Sequence, residues 1–256
     1  MSAAPAPAAT TPNKQTGPIV EIHELSHSYD ETPVLHAINL TVGEGEIFGF
    51  LGHNGAGKTT TINILTTLIA PTSGAATVCG FDVVADRLEV QCRIGYLPEN
   101  VRLYDSLTAA ENLKFFAQLS GVKDTRKAID GALDFLDARD LADRRVGTFS
   151  KGMRQRIGIA QAILHEPRVL FLDEPTSGLD PLGVRQLRDT ILRLNGELGI
   201  TIFMNTHLLS EVSRVCTTIG VLAEGELIYN DSLARTLERF PDEASLEDIY
   251  VRLEDR

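Results

Sequence analysis

The chain has 256 residues, 43% hydrophobic and 23% charged, with a formal net charge of −11. That length allows one large or two small packed domains. The acidic balance excludes a nucleic-acid binder working by bulk electrostatics, whose surface would be basic. Cys79, Cys92 and Cys216 lie far apart without metal-ligand spacing, which predicts reduced cytosolic thiols filling core or half-buried positions.

The opening stretch, "MSAAPAPAATTPNKQTGP" over 1–18, is rich in Ala, Pro and Thr, a composition that predicts a disordered tail. It lacks the basic start and long apolar run of a secretion signal. No apolar stretch approaches the ~18 residues of a spanning helix, so a membrane role requires another chain to supply the spanning part. From Ile19, short β-rich runs alternate with helical patterns, the mark of an α/β sheet. Strands are predicted at 19–25, 38–42 and 46–51, the last running straight into a glycine-rich loop, and later at 93–97, 168–173, 201–206 and 218–223. Between Asn100 and Glu166 the strand signal disappears. There "TAAENLKFFAQL" opens with Thr108 three residues before Glu111, a capping-box pattern, and a second helix is predicted from Arg126 to Leu136. The acidic end, from Glu238, predicts a short helix through "SLEDIYVRL". The expected division is a tail (1–18), a core in two parts (19–98 and 166–235), a helical insertion (99–165) and a C-terminal acidic extension (236–256).

"GHNGAGKTT" at 52–60 fits G-x-x-x-x-G-K-[ST] in the required strand–loop–helix context. Gly52, Gly55 and Gly57 let the backbone curl so that its N–H groups face phosphate oxygens. Asn54, Ala56 and Thr60 complete the nucleotide-binding loop. Lys58 reaches the β- and γ-phosphates, and the Thr59 hydroxyl ligates Mg²⁺. "VLFLDEP" at 169–175 is an apolar strand ending in two carboxylates, which are costly to bury without a cation or proton to offset them. In a P-loop protein the first, Asp173, holds Mg²⁺. The second, Glu174, stands where a general base orients water against the γ-phosphate.

"TFSKGMRQR" at 148–156 opens a further helix, with Met153, Ile157, Ala160 and Leu164 at helical spacing. Lys151, Arg154 and Arg156 crowd its first turns, and no acid follows until Glu166. A helix amino end already carries partial positive charge, so this end is suited to an anion.

Taken in order, the P-loop, "FSKGMRQR", "FLDEP", "SGLD" and "NTH" resemble the nucleotide-binding subunit of an ATP-binding cassette (ABC) transporter of exporter type, from about Ile19 to Leu233. The resemblance implies an α/β fold: a P-loop RecA-like core with an N-terminal antiparallel β-subdomain and a helical subdomain. It implies that Ser150, Lys151 and Gly152 face the γ-phosphate of an ATP held by a second copy of the chain, that Tyr29 stacks on adenine, and that His207 contacts the γ-phosphate. Ser177, Gly178 and Asp180 match the loop that communicates across the dimer. The partners implied are a membrane permease on a separate polypeptide and a second copy, with no nucleic acid, and the place is the cytoplasmic face of the membrane. "SLEDIY" is similar to the ends of ATPases paired with exporter-type permeases, which favours export or membrane-linked maturation. Two departures stand out. Lys151 replaces the signature's usual first glycine, and Glu99 replaces the family's glutamine in "IGYLPEN". Glutamine donates and accepts, whereas an ionised glutamate only accepts, so Glu99 is suited to ligating Mg²⁺. The "LPEN" form also resembles the ATPase subunit of the copper-linked nitrous oxide reductase assembly system. A soluble non-transport ABC ATPase and a regulatory nucleotide binder with weak hydrolysis are the alternatives. The first typically carries tandem cassettes or a coiled-coil insertion, absent here, and intact Lys58 and Glu174 oppose the second.

Overall fold

Three strands whose residues are buried on both faces form the centre of the protein, which a computed structural model describes over residues 17–254. In chain order, β1 (Pro18–Tyr29), β2 (Thr32–Gly43) and β3 (Ile47–Leu51) precede α1 (Lys58–Leu65), β4 (Ser73–Val78), β5 (Phe81–Asp82), α2 (Arg87–Gln91) and β6 (Ile94–Leu97). A helical stretch follows: α3 (Ala109–Leu119), α4 (Thr125–Phe135) and α5 (Lys151–Ile163). The chain then returns to the sheet through β7 (Val169–Asp173), α6 (Pro181–Leu198), β8 (Thr201–Asn205), α7 (Leu209–Val215) and β9 (Thr218–Ala223). It closes with β10 (Glu226–Ser232), α8 (Leu233–Arg239) and α9 (Leu246–Glu254).

The strands form two sheets. One is antiparallel, in the order β2-β1-β4-β5; the other has the order β10-β9-β3-β8-β7-β6 and is parallel except for β10. Parallel strands covered on both faces read as continuous apolar runs, which is why "IFGFL", "VLFLD" and "TIFMN" lack polar alternation. Successive side chains still point to opposite faces. Phe48, Phe50, Phe171 and Phe203 pack with the antiparallel sheet and α1, their rings 4.9 Å (Phe48–Phe203) and 5.4 Å (Phe171–Phe203) apart. Leu51, Leu170, Leu172, Ile202 and Met204 pack on the other face with α3 to α7.

The predicted strands form within about a residue of their expected bounds, β1 and β2 extending further, and the capping box of α3 forms in full. Several expectations are corrected. Residues 1–16 of the expected tail lie outside the described residues, and Pro18 already pairs with Gly43 as the first residue of β1, a position where a missing N–H is tolerated. The division expected after 235 falls inside α8. Cys92 is exposed, unlike half-buried Cys79 and buried Cys216. Four helices (α2, α6, α7, α8) and three strands (β4, β5, β10) were not anticipated. Of these, α6 is the longest helix described, with 18 residues. Its start signal was legible, an Asp180 cap followed by Pro181 at the first helical position.

α6 and α7 are joined by a largely buried ion pair. Arg188 Nη1 lies 3.3 and 3.2 Å from the two Glu211 carboxylate oxygens, with side chains 18% and 11% exposed. Breaking such a pair leaves a desolvated charge, whereas replacing both partners by apolar groups is close to neutral. Glu211→Ala is therefore expected to lose on the order of 3 kcal/mol in urea unfolding, and the joint change Arg188→Met with Glu211→Leu to recover most of it. Additive losses in the double variant would contradict this account.

Candidate functional site

Strands β3, β7 and β8 run parallel and end together, which sets Leu51–Gly52, Asp173–Glu174 and Asn205–His207 side by side at the carboxyl edge of the sheet. Ligands of open α/β sheets bind at that edge. The loop between β3 and α1 is shaped by glycine where backbone crowds it. At Gly52 (φ +156°) a Cβ would come within 2.3 Å of the Leu222 carbonyl oxygen, and at Gly57 (φ +106°) within 2.5 Å of Leu35 Cδ2. Asn54 and Gly55 are exposed on the outer curve, while Ala56 and Thr60 are buried. Lys58 is buried in the first turn of α1, and its Nζ donates to the carbonyl oxygens of Gly52 (2.6 Å) and His53 (3.1 Å). The loop therefore holds a desolvated cation at its centre.

Asp173 anchors this edge. Its Oδ1 accepts from the Thr59 hydroxyl at 3.1 Å and from Asn205 Nδ2 at 2.6 Å, and the Tyr96 phenol lies close enough to feel its charge. Burial, with the Asp173 charge adding to it, pushes the Tyr96 phenol up to about 12. Glu174 adopts a left-handed backbone (φ +46°) and its N–H donates to Asn205 Oδ1 at 2.6 Å. Its Oε2 lies 2.8 Å from His207 Nδ1. Asn205 is thus bonded to both acidic positions. Tyr29 is exposed beside α1, its hydroxyl 3.4 Å from Thr60 Oγ1.

A second cluster gathers the remaining expected residues. Ser150 caps α5 by accepting from the Met153 N–H at 3.3 Å. Gly152 packs near Leu179, and a Cβ on Gly178 (φ +65°) would lie 2.9 Å from Lys151 Nζ. The Ser177 hydroxyl donates to Glu99 Oε1 at 2.9 Å, and the Gln155 amide donates to the Pro175 carbonyl oxygen. Asp180 caps α6 through the Gly183 N–H at 2.7 Å. Arg154 pairs with Asp105 at 2.8 Å, and Arg156 donates to the Asp137 carbonyl and to Gln186, so both arginines are held by partners within the chain.

Two groups of expected residues thus come together: Tyr29, the P-loop, Asp173, Glu174 and His207 in one, and Glu99, Ser150, Lys151, Gly152, Ser177, Gly178 and Asp180 in the other. Sequence reading missed Asn205, Tyr96 and Gln155. Asn205 had a signal, a polar residue closing an otherwise apolar strand one step before Thr206 and His207.

Residues 35–177 match the family model described as ABC transporter. The chain is 42% identical over 210 residues to the bacitracin transport ATP-binding protein BcrA of Bacillus licheniformis, covering 82% of this chain and 68% of that protein. It is 40% identical over 204 residues to the ABC transporter ATP-binding protein NatA of Bacillus subtilis, covering 78% and 82%. Among solved structures, the ATP binding subunit of an ABC transporter matches with a TM-score of 0.82 at 30% identity, covering 92% of this chain and 99% of that one. A dimeric ATP-binding cassette in a post-hydrolysis state with ADP and Pi matches with a TM-score of 0.75 at 25% identity, covering 84% and 98%. None of these relatives supports the likeness of "LPEN" to the nitrous oxide reductase system.

The burial of Tyr96 carries a pH signature. A folded-state pKa above the unfolded value means that the folded chain keeps its proton where the unfolded chain has lost it. The contribution of Tyr96 to stability is therefore intact below about pH 10 and is lost as pH rises towards about 12. The slope for one proton is about 1.4 kcal/mol per pH unit. Cys79 and Cys216, pushed up by burial to about 11 and about 12, act in the same direction. Urea stability measured between about pH 9 and 11 should fall less steeply in Tyr96→Phe than in the parent; equal slopes would mean that folding does not raise the Tyr96 pKa.

Proposed function

The chain belongs to the ABC transporter family, and from that premise we propose how its residues bind and hydrolyse ATP and what they act on. It is an ATP-binding subunit with the ABC ATPase fold, and it hydrolyses ATP. Among the described residues no helix is long and apolar enough to cross a membrane. The proposed partner is an integral-membrane permease on a separate chain, engaged at the cytoplasmic face of the membrane, with export or membrane-linked maturation as the outcome. A second copy of the chain is the other partner, and no nucleic acid takes part.

The observation that carries the residue assignments is the convergence of the P-loop, Asp173, Glu174 and His207 on one edge of the sheet. In the proposed mechanism Lys58 exchanges the carbonyl oxygens of Gly52 and His53 for the β- and γ-phosphate oxygens of ATP. The amides of Gly52 to Thr60 close on the remaining phosphate charge, and Tyr29 stacks on the adenine. Thr59 and Asp173, already in hydrogen-bond contact, would hold Mg²⁺, which when bound neutralises phosphate charge. Their donor set suits it, since a hydroxyl and a carboxylate are hard oxygen ligands. Glu99, whose Oε1 accepts from the Ser177 hydroxyl, would be a further oxygen donor to the metal.

Glu174 is the proposed general base. Its Oε2 is directed to His207 Nδ1, leaving Oε1 to accept a proton from water. The water oxygen bonds to the γ-phosphorus, the bond from that phosphorus to the β,γ-bridging oxygen breaks, and ADP leaves. His207 orients Glu174 and meets the γ-phosphate. Ser150, Lys151 and Gly152 complete the ATP site of the second copy, with Ser177, Gly178 and Asp180 passing its state across the interface.

Two experiments test this. Glu174→Gln should retain ATP affinity, lower turnover by about 10²–10⁴-fold, the range for such groups, and accumulate as an ATP-bound dimer on gel filtration. Near-normal hydrolysis would remove the base. For the trans site, Lys58→Ala and Ser150→Arg should each abolish ATP occlusion in homodimers. In a mixed dimer one interface combines both lesions while the other is intact, so mixing should restore up to one occluded nucleotide per dimer. No rescue in heterodimers shown to have formed would place Ser150 outside the partner's site.

A further inference from the structure

His27 is a histidine without a polar partner in a place where one is costly. It lies on β1, is 9% exposed, and neither ring nitrogen has a hydrogen-bond partner or solvent contact. Buried polar atoms are nearly always satisfied, so a ring with neither nitrogen paired calls for an explanation. What the ring does touch is Tyr29. The two side chains stand two residues apart on one face of the strand, with ring centroids 4.7 Å apart and planes at 83°. This is the edge-to-face arrangement in which a positive ring edge meets a negative ring face.

Tyr29 is 46% exposed at the end of β1, and its hydroxyl reaches Thr60 only at 3.4 Å. An exposed ring held by one long hydrogen bond would sample several orientations and lose them when a base stacks on it, which weakens binding. The buried imidazole beneath removes that freedom beforehand.

We propose that His27 is a positioning residue for nucleobase binding: its buried ring, packed edge-to-face with Tyr29, fixes the plane of Tyr29, so that part of the affinity contributed by the base depends on a residue that never touches the nucleotide. The inference rests on the reading of Tyr29 as the adenine platform. It also explains why the ring nitrogens are left without partners. The ring serves through its shape and quadrupole, and its nitrogens contribute nothing.

The test separates the base from the phosphates. Affinities of the full chain for ATP and for inorganic tripolyphosphate are measured by calorimetry, and their ratio isolates the base. His27→Ala should reduce that ratio by about three- to tenfold, the range of one aromatic pair, with tripolyphosphate binding unchanged. His27→Phe, which keeps the ring without nitrogens, should retain the parent ratio. In a Tyr29→Ala background, His27→Ala should have no further effect. An equal loss for both ligands, or an unchanged ratio in His27→Ala, overturns the proposal. If His27→Ala does not fold, His27→Leu takes its place, and a parental ratio there overturns it equally. If Tyr29→Ala itself leaves the ratio unchanged, the platform reading fails and the proposal with it. If Tyr29→Ala abolishes the ratio while His27→Ala does not, only the proposal fails.

Discussion

The carboxylate of Asp173, 6% exposed at the end of a strand buried throughout, has to be satisfied by donors that the protein itself brings to it. An unpaired charge in that position would cost several kcal/mol. Its donors come from two separate elements, Thr59 from the first turn of α1 and Asn205 from the end of β8. Each donor fixes its element relative to β7. The loop after β3 and the neighbouring strand end are therefore placed by the needs of one buried group. Asn205 extends the same constraint by one residue, since its other amide atom accepts the Glu174 N–H.

Glu174 leaves the strand in a left-handed conformation, which is uncommon for a residue with a Cβ. The turn breaks the strand's alternation and brings the carboxylate against His207 instead of into the sheet. The chain then runs through a loop held at several points: Gln155 bonds the Pro175 carbonyl, Ser177 bonds Glu99, Gly178 lies against Lys151, and Asp180 starts α6. Those partners belong to the start of α5 and to the start of the segment after β6. A shift of the helical region against the sheet would pull on the residues that directly follow Glu174. Glu99 therefore bears directly on this loop, and the change from glutamine matters there. A glutamine could turn its N–H₂ towards Ser177 or its carbonyl, whereas the glutamate accepts only.

How much of this was legible follows from how local each signal is. The P-loop declares itself because glycine is forced where backbone crowds it and because Lys58 and Thr59 follow at fixed spacing. Thr108 and Glu111 announce a helix start through a bond pattern confined to four residues. The parallel strands show as apolar runs because both faces are covered. Asn205 and Tyr96 announce nothing of the kind. Their roles depend on which strands end side by side, and the order β3-β8-β7-β6 is set by long-range pairing that no window of sequence contains. The Ser177–Glu99 bond likewise joins positions 78 residues apart. The missed α6 is a different failure: its cap and proline were present, and its apolar positions Leu187, Ile191 and Leu194 keep helical spacing.

The start of α5 shows what an isolated chain leaves unbalanced. Three cations at the amino end of a helix are unfavourable by a few tenths to about 1 kcal/mol each, because the helix end is itself positive. Two of them are answered inside the chain, Arg154 by Asp105 and Arg156 by the Asp137 carbonyl and Gln186. Ser150 answers one backbone amide, that of Met153. The N–H groups of Lys151 and Gly152 belong to the first turn, where no helical carbonyl can reach them, and Lys151 keeps its ammonium beside the glycine turn at 178. Such a corner is suited to an anion with several oxygens set close together. Under the proposed function, a triphosphate brought by a second copy of the chain would meet that charge. Closing two copies on ATP would then relieve, at each interface, a repulsion that the free protein has to tolerate.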